Sequence, residues 1–285
     1  MYKKILHLLE GRTKQITDTE KVLQPLPHKD FRFANPFIVL HHGGPDIIAP
    51  GSENRIHPHP HRGFAPVTFA LQGQSYHKDN AGHDQLMEAG EVQWMFAGSG
   101  LLHSEGPSDE LHKTGGVSEF LQLWVNVPAR HKWDAPAYQH AKKEDMPAVY
   151  AQDGVTLKLA SGELDGQKGP ISTFTPVITA FGDVAAQKGF TAVVPEGYWT
   201  LLYVAHGSVQ INEAVRVPEH TLIVFEQDNT SFQLLAEENA TLLLLSAEPI
   251  HEPVTAKDNF VMNTPEEIEQ AMEDYRNGKF GQLAY

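Results

Sequence analysis

The stretch "PVTFALQGQSY" spans Pro66 to Tyr76, and "YWTLLYVAHGSVQI" spans Tyr198 to Ile211. Each reads as an apolar strand, a glycine turn and a second strand, and the two lie about 134 residues apart. That offset is too long for a solenoid repeat and suits a duplicated domain. Around both copies the chain continues in short alternating runs, such as "PFIVL", "EVQWMFAG", "EFLQLWVNVP", "VTLKLASG", "HTLIVF" and "ATLLLLS". Gly, Pro, Asn and Asp punctuate them. Runs this short with frequent turn chemistry predict an all-β sandwich or barrel.

With 285 residues, the chain has room for two domains of ordinary size. The proline- and charge-rich stretch "PARHKWDAPAYQHAKKEDMP", starting at Pro128, reads as a linker. The expected domains are therefore 1–140 and 141–285. The C-terminal part changes character. In "NTPEEIEQAMEDYRNG", Thr264 is placed as N-cap, Pro265 at the first helical position and Glu267 as the capping-box partner. This predicts a helix over 265–277 that buries Ile268, Ala271, Met272 and Tyr275, with Gly278 as its stop.

Composition excludes several classes. The net charge is −14 and the basic residues are not clustered, so direct nucleic-acid contact is disfavoured. The acidic balance fits a protein partner better. There is no cysteine, hence no disulfide and no thiolate ligand. The apolar run Ile5 to Leu9 is too short for a secretory segment, and no stretch approaches the ~20 apolar residues that span a bilayer. A cytoplasmic protein is expected.

Function is carried by "IHPHPHRGF", Ile56 to Phe64. On a strand, residues i, i+2 and i+4 share a face, which would put His57, His59 and His61 together, with Pro58 and Pro60 opposite. Prolines confine this piece to a sheet edge. In "GLLHSEG", His103 and Glu105 are again i and i+2. Imidazoles from one strand, with an imidazole and a carboxylate from another, make a donor set for a borderline divalent metal such as Fe, Ni, Mn, Cu or Zn. The pattern alone leaves open which of the first three histidines take part.

"HPHRGF", "GEVQWMFAGSGLLHSE", "LQLWVN", "SGE" and "FVMNTPEEIEQAMEDYRNGK" together resemble the pirin family, over about Phe31 to Lys279. Pirins are bicupins, two β-barrels packed face to face with one metal in the N-terminal barrel. The resemblance implies that His59, His61, His103 and Glu105 hold one divalent transition metal, iron first, and that His57 does not. Several pirins resemble quercetin 2,3-dioxygenases. The implied activity is oxidation of a flavonol or related enol with O₂, with Glu105 as ligand and proton acceptor. Some pirins act instead as non-catalytic regulatory proteins, which is the second reading.

Two positions depart from the family. Where "HRGFE" is usual, this chain has Ala65, which by alternation would point with His59 and His61 toward the metal. His41 and His42 in "VLHHGG" replace an acidic segment and read first as ordinary loop histidines. Phe64, Trp94, Met95 and Phe96 are candidates to wall a flat ligand, with barrel core as the simpler reading for Trp94. In the second half the positions matching His59, His61 and Ala65 are Val193, Pro195 and Trp199, so that half is expected to be structural, its core built from Trp199, Leu201, Leu202 and Leu242.

Overall fold

The computed structural model describes residues 1–17, 20–52 and 55–284. The two stretches quoted first are the same device used twice. Phe64–Gln72 turns at Gly73 into Ser75–Asp79, and Trp199–His206 turns at Gly207 into Ser208–Ile211. Both glycines have positive φ, +78° and +77°, and a Cβ on either would fall within 2.3 Å of a backbone carbonyl oxygen. Only glycine fits these corners. At each corner the chain leaves a seven-stranded sheet and enters a four-stranded one.

The chain forms two compact units, and in each a seven-stranded and a four-stranded antiparallel sheet enclose the core. This is the expected all-β bicupin architecture. One unit comprises Lys14–Val22, Phe37–His140 and the chain from Ile250 onward. Its four-stranded sheet runs in the order Ile56–His61, Leu101–Pro107, Ser75–Asp79 and Asp84–Met87. The other unit comprises Met1–Thr13, Leu23–Pro36 and Ala141–Pro249.

Both ends therefore depart from the expected blocks. Ile5–Glu10 pairs antiparallel with Thr221–Phe225, because its alternate apolar residues complete that sheet. The C-terminal helix, Pro265–Arg276, packs Ile268 and Ala271 against Leu102, Phe260, Met262 and Phe280. Its capping box forms as predicted, with Thr264 Oγ1 accepting from the Glu267 amide and Glu267 Oε2 accepting from the Thr264 amide. Tyr275, expected on the buried face, is exposed. Asp274 is buried in its place, since Arg62 and Lys279 both donate to its carboxylate.

The chain passes from one unit to the other inside the expected linker, between His140 and Ala141, but the part before that point is built into the first unit. Ala129–His131 is a 3₁₀ turn and Ala137–Ala141 is an edge strand of the seven-stranded sheet. Lys132 between them is fully buried because its ammonium finds three oxygens: Gly63 O at 2.7 Å, Asn126 Oδ1 at 2.5 Å and Val261 O at 2.9 Å. In the second unit Leu201, Leu202 and Leu242 are fully buried as expected. Trp199 is only half-buried and meets Phe31 edge-on, with ring centroids 5.7 Å apart. No helix among the described residues is long and apolar enough to cross a membrane.

Candidate metal centre

Ile56–His61 and Leu101–Pro107 are adjacent antiparallel strands, with His103 opposite His59 and Leu101 opposite His61. Between His103 and Glu105 the register slips, so that Glu105 faces Ile56 rather than His57. The extra residue is a β-bulge on the Pro-rich strand, and a bulge re-aims side chains. It breaks the i, i+2 rule between His57 and His59. His57 is consequently exposed and outside the cluster, while His59, His61 and His103 converge, their ligand atoms all within 4.8 Å of one another.

Each of the three rings commits its Nδ1 elsewhere. His59 Nδ1 lies 2.9 Å from the His57 carbonyl oxygen, and His61 Nδ1 lies 3.2 Å from that of Asn259. His103 Nδ1 meets His77 Nδ1 at 3.4 Å, and His77 Nε2 donates to Asp79 Oδ2 at 3.0 Å. Asp79 also accepts from the amides of Ala81 and His83 and from the His83 ring. Burial raises the Asp79 carboxyl, but these hydrogen bonds outweigh it and hold it below its ordinary value. The pattern sets one tautomer throughout: Nδ1–H donors on the three clustered histidines, leaving their Nε2 atoms to face one another.

Those Nε2 atoms fit a metal. His103 Nε2 is buried with no hydrogen-bond partner, an expensive state for a polar atom unless something binds it. Burial, then the neighbouring imidazoles, hold His61 and His103 well below the ordinary histidine value. Both are neutral, with lone pairs available. Ring packing fixes them further: His61 stands edge-on to Phe64 at 5.2 Å and to Trp124 at 5.7 Å.

Glu105 shares its strand with His103 but stands outside the tight cluster of ligand atoms. Its Oε1 accepts from Gln122 Nε2 at 2.8 Å, and Trp124 Nε1 donates to Gln122 Oε1 at 3.4 Å. Glu105 lines a cavity of about 400 Å³, large enough for a small aromatic ligand. The apolar walls include Ile48, Ile56, Met87 and Phe120. They are not the expected Phe64, Trp94, Met95 and Phe96, none of which lines the cavity. Met95 packs with Ala97 and Leu101, while Trp94 and Phe96 are buried.

His41 and His42 lie on the strand Phe37–Ile48, not in a loop, and alternation separates them. His41 lines the cavity, and burial, then Lys14, pushes its imidazole down to about 3, so it is neutral. His42 is buried against Glu119 at 2.8 Å.

The expectation for Ala65 is overturned. The chain bends at Gly63, with φ +84°, so strand parity does not carry from His61 to Ala65. Phe64 packs on His61, and Thr68, of the same parity, lines the cavity. Ala65 pairs with Val125 and points to the opposite, packed face.

The comparisons agree with this picture. A family profile described as Pirin matches residues 17–125, and one described as the Pirin C-terminal cupin domain matches 182–281. The chain belongs to the pirin family. Human Pirin is 35% identical over 268 residues, covering 92% of this chain and 88% of its own. A crystal structure of quercetin 2,3-dioxygenase from Acinetobacter baumannii superposes with TM-score 0.94 at 35% identity, covering all of both chains. The Escherichia coli pirin YhhW, whose structure is a complex with nickel(II), shares the fold at TM-score 0.66 and 19% identity, over 86% of this chain and 99% of its own. As a pirin, this chain keeps its His-rich cluster in the unit built around Phe37–His140. Among the described residues the other unit has one such group of its own, His206, Glu219 and His220, on a partly exposed surface.

Proposed function

We propose that His59, His61, His103 and Glu105 hold one divalent transition metal, iron foremost, and that the protein is a dioxygenase acting on a flavonol or related enol with O₂. The observation that carries this reading is the buried, unpartnered Nε2 of His103 in its cluster with His59 and His61, on the strand whose Glu105 lines the cavity. Such a metal supplies a Lewis acid that lets an enol hydroxyl bind ionised near neutral pH. Likeness to a named quercetin 2,3-dioxygenase along the whole chain supports the substrate class.

The chain's own residues have distinct roles. The apolar walls exclude water and take a flat ring system. Gln122 fixes the Glu105 carboxylate where it can accept the proton of an entering enol. His77 and Asp79 hold His103 in one orientation. The test is elemental analysis followed by O₂ consumption with quercetin at several metal loadings. One metal per chain with O₂ uptake is expected. A metal-loaded protein that consumes no O₂ moves the reading to a metal-dependent binding protein.

A further inference from the structure

We infer that Glu20 is a second acid of the cavity, donating its carboxyl proton in a hydrogen bond to an oxygen of the bound ligand. The inference rests on the reading of the cavity as a substrate site, and it concerns a residue that no motif singled out. Glu20 lines the same cavity as Glu105 and Gln122. Its Oε2 is buried and has no hydrogen-bond partner. A buried carboxyl oxygen without a partner is costly, and a ligand oxygen would satisfy it.

The local structure holds Glu20 in place. Its amide donates to Thr17 Oγ1 at 3.1 Å, and its carbonyl accepts from the Ile16 amide at 2.9 Å and from Gln15 Nε2 at 3.2 Å. The titratable groups lining the cavity with it are Glu105, Asp46, His41, Lys21, Arg55 and Tyr76. Burial first, then the charges of Glu105 and Asp46, raise the Glu20 carboxyl to about 7. It therefore keeps its proton through the weakly acidic range and into neutrality, which an exposed glutamate does not. A carboxylic acid kept neutral by its surroundings is a strong hydrogen-bond donor toward an anionic or phenolic oxygen.

This changes the meaning of the missing acid at Ala65. That position faces a packed layer, whereas Glu20 enters the cavity from another part of the chain. The ligand class that fits has oxygens at two places. One is an enol or phenol for the metal, and the other is a hydroxyl or carbonyl oxygen within reach of Glu20. A polyhydroxylated aromatic has both.

The test uses the full-length, metal-loaded protein and its Glu20→Gln and Glu20→Ala variants at equal metal occupancy. Quercetin is the probe, titrated without O₂ at about pH 6 and about pH 8.5, on either side of the Glu20 value. At the lower pH, Glu20→Ala should bind about tenfold more weakly, the loss of one hydrogen bond with a strongly polar partner. Glu20→Gln, whose amide still donates, should bind within about threefold of native there. The native-to-Gln affinity ratio should then fall at the higher pH, where only the native residue loses its proton. Native-like binding by Glu20→Ala at both pH values overturns the role of Glu20, whatever the turnover. The expected binding pattern without O₂ uptake overturns the dioxygenase reading and leaves Glu20 standing. Absence of quercetin binding by the native protein overturns both.

Discussion

The ring of His61 is oriented by a residue 198 positions further along the chain: its Nδ1 lies 3.2 Å from the carbonyl oxygen of Asn259. Asn259 sits in the turn of the hairpin Thr255–Lys257 and Phe260–Met262. Next to His61, Arg62 donates to Ser99 O and to Asp274, and its guanidinium stacks over Trp133 and Phe280. Lys132 ties Gly63 to Val261. The C-terminal segment is thus a structural wall of the histidine cluster.

His59→Ala, His61→Ala and His103→Ala should each strip most of the metal, while His57→Ala should leave it nearly unchanged. Removing one ligand of four costs much of a site's affinity. The bulge puts the His57 side chain outside the cluster, while its carbonyl oxygen meets His59 Nδ1. Metal-to-protein ratios after mild purification decide this; equal loss in all four variants would show that the whole His-rich rim holds the ion.

His77→Ala and Asp79→Asn should weaken metal binding by about 10–100-fold, the usual consequence of removing an outer partner of a ligating histidine. The expected readout is competition with a chelator of known strength. Both changes should also alter the absorption bands of the cobalt-substituted protein, since the His103 ring would lose its fixed tautomer. Unaltered bands in both variants would reduce the His77–Asp79 pair to packing.

Glu105→Gln should lower turnover by about 10²–10⁴-fold, the range for a lost general base, while some metal stays bound through the three imidazoles. Rates measured at equal metal occupancy separate the two effects. A variant with native turnover would remove Glu105 from the proton-transfer role.

Ala65→Glu should not create a second acid. It would place a carboxylate without a partner in a packed layer beside Val125, a change typically worth several kcal/mol of lost stability. Denaturant unfolding checks the cost. A faster enzyme of native stability would mean that position 65 reaches the cavity after all.

Acid should loosen the C-terminal helix first. Hydrogen bonds from Lys279 and then Arg62 hold the Asp274 carboxyl at about 2, against about 3.9 in an unfolded chain. Because the folded value is the lower one, the contribution is complete above about pH 4 and is lost as pH falls toward 2. Asp274→Asn does not titrate and should show increased pepsin nicking of the helix already at the upper end of that window. Identical nicking of native and variant proteins throughout it would sink this account.

The duplicated strand–glycine–strand device was legible because periodicity and an obligatory turn residue are local signals. The paired histidines and the capping box were legible for the same reason. Alternation alone groups His57 with His59 and aims Ala65 with His61, and both placements fail at an irregularity, a bulge in one case and a bend at Gly63 in the other; the family resemblance, not the alternation, set His57 apart. Lys132 was read as linker because a lysine carries no mark of the three acceptors that let it be buried. Asn259, Asp79 and Glu20 were invisible, since each acts through contacts that only the folded chain creates.

The exchange of chain ends between the two units also has a consequence in time. The ribosome has made His59, His61 and His103 long before Asn259, Val261 and Asp274 appear. Throughout production of the other unit, the histidine cluster lacks the C-terminal contacts that reach His61, Arg62 and Lys132. Closing contacts over such separations is slow compared with local strand pairing. An ion held as proposed would then be selected after translation, from whichever metals are exchangeable in the surroundings at that moment.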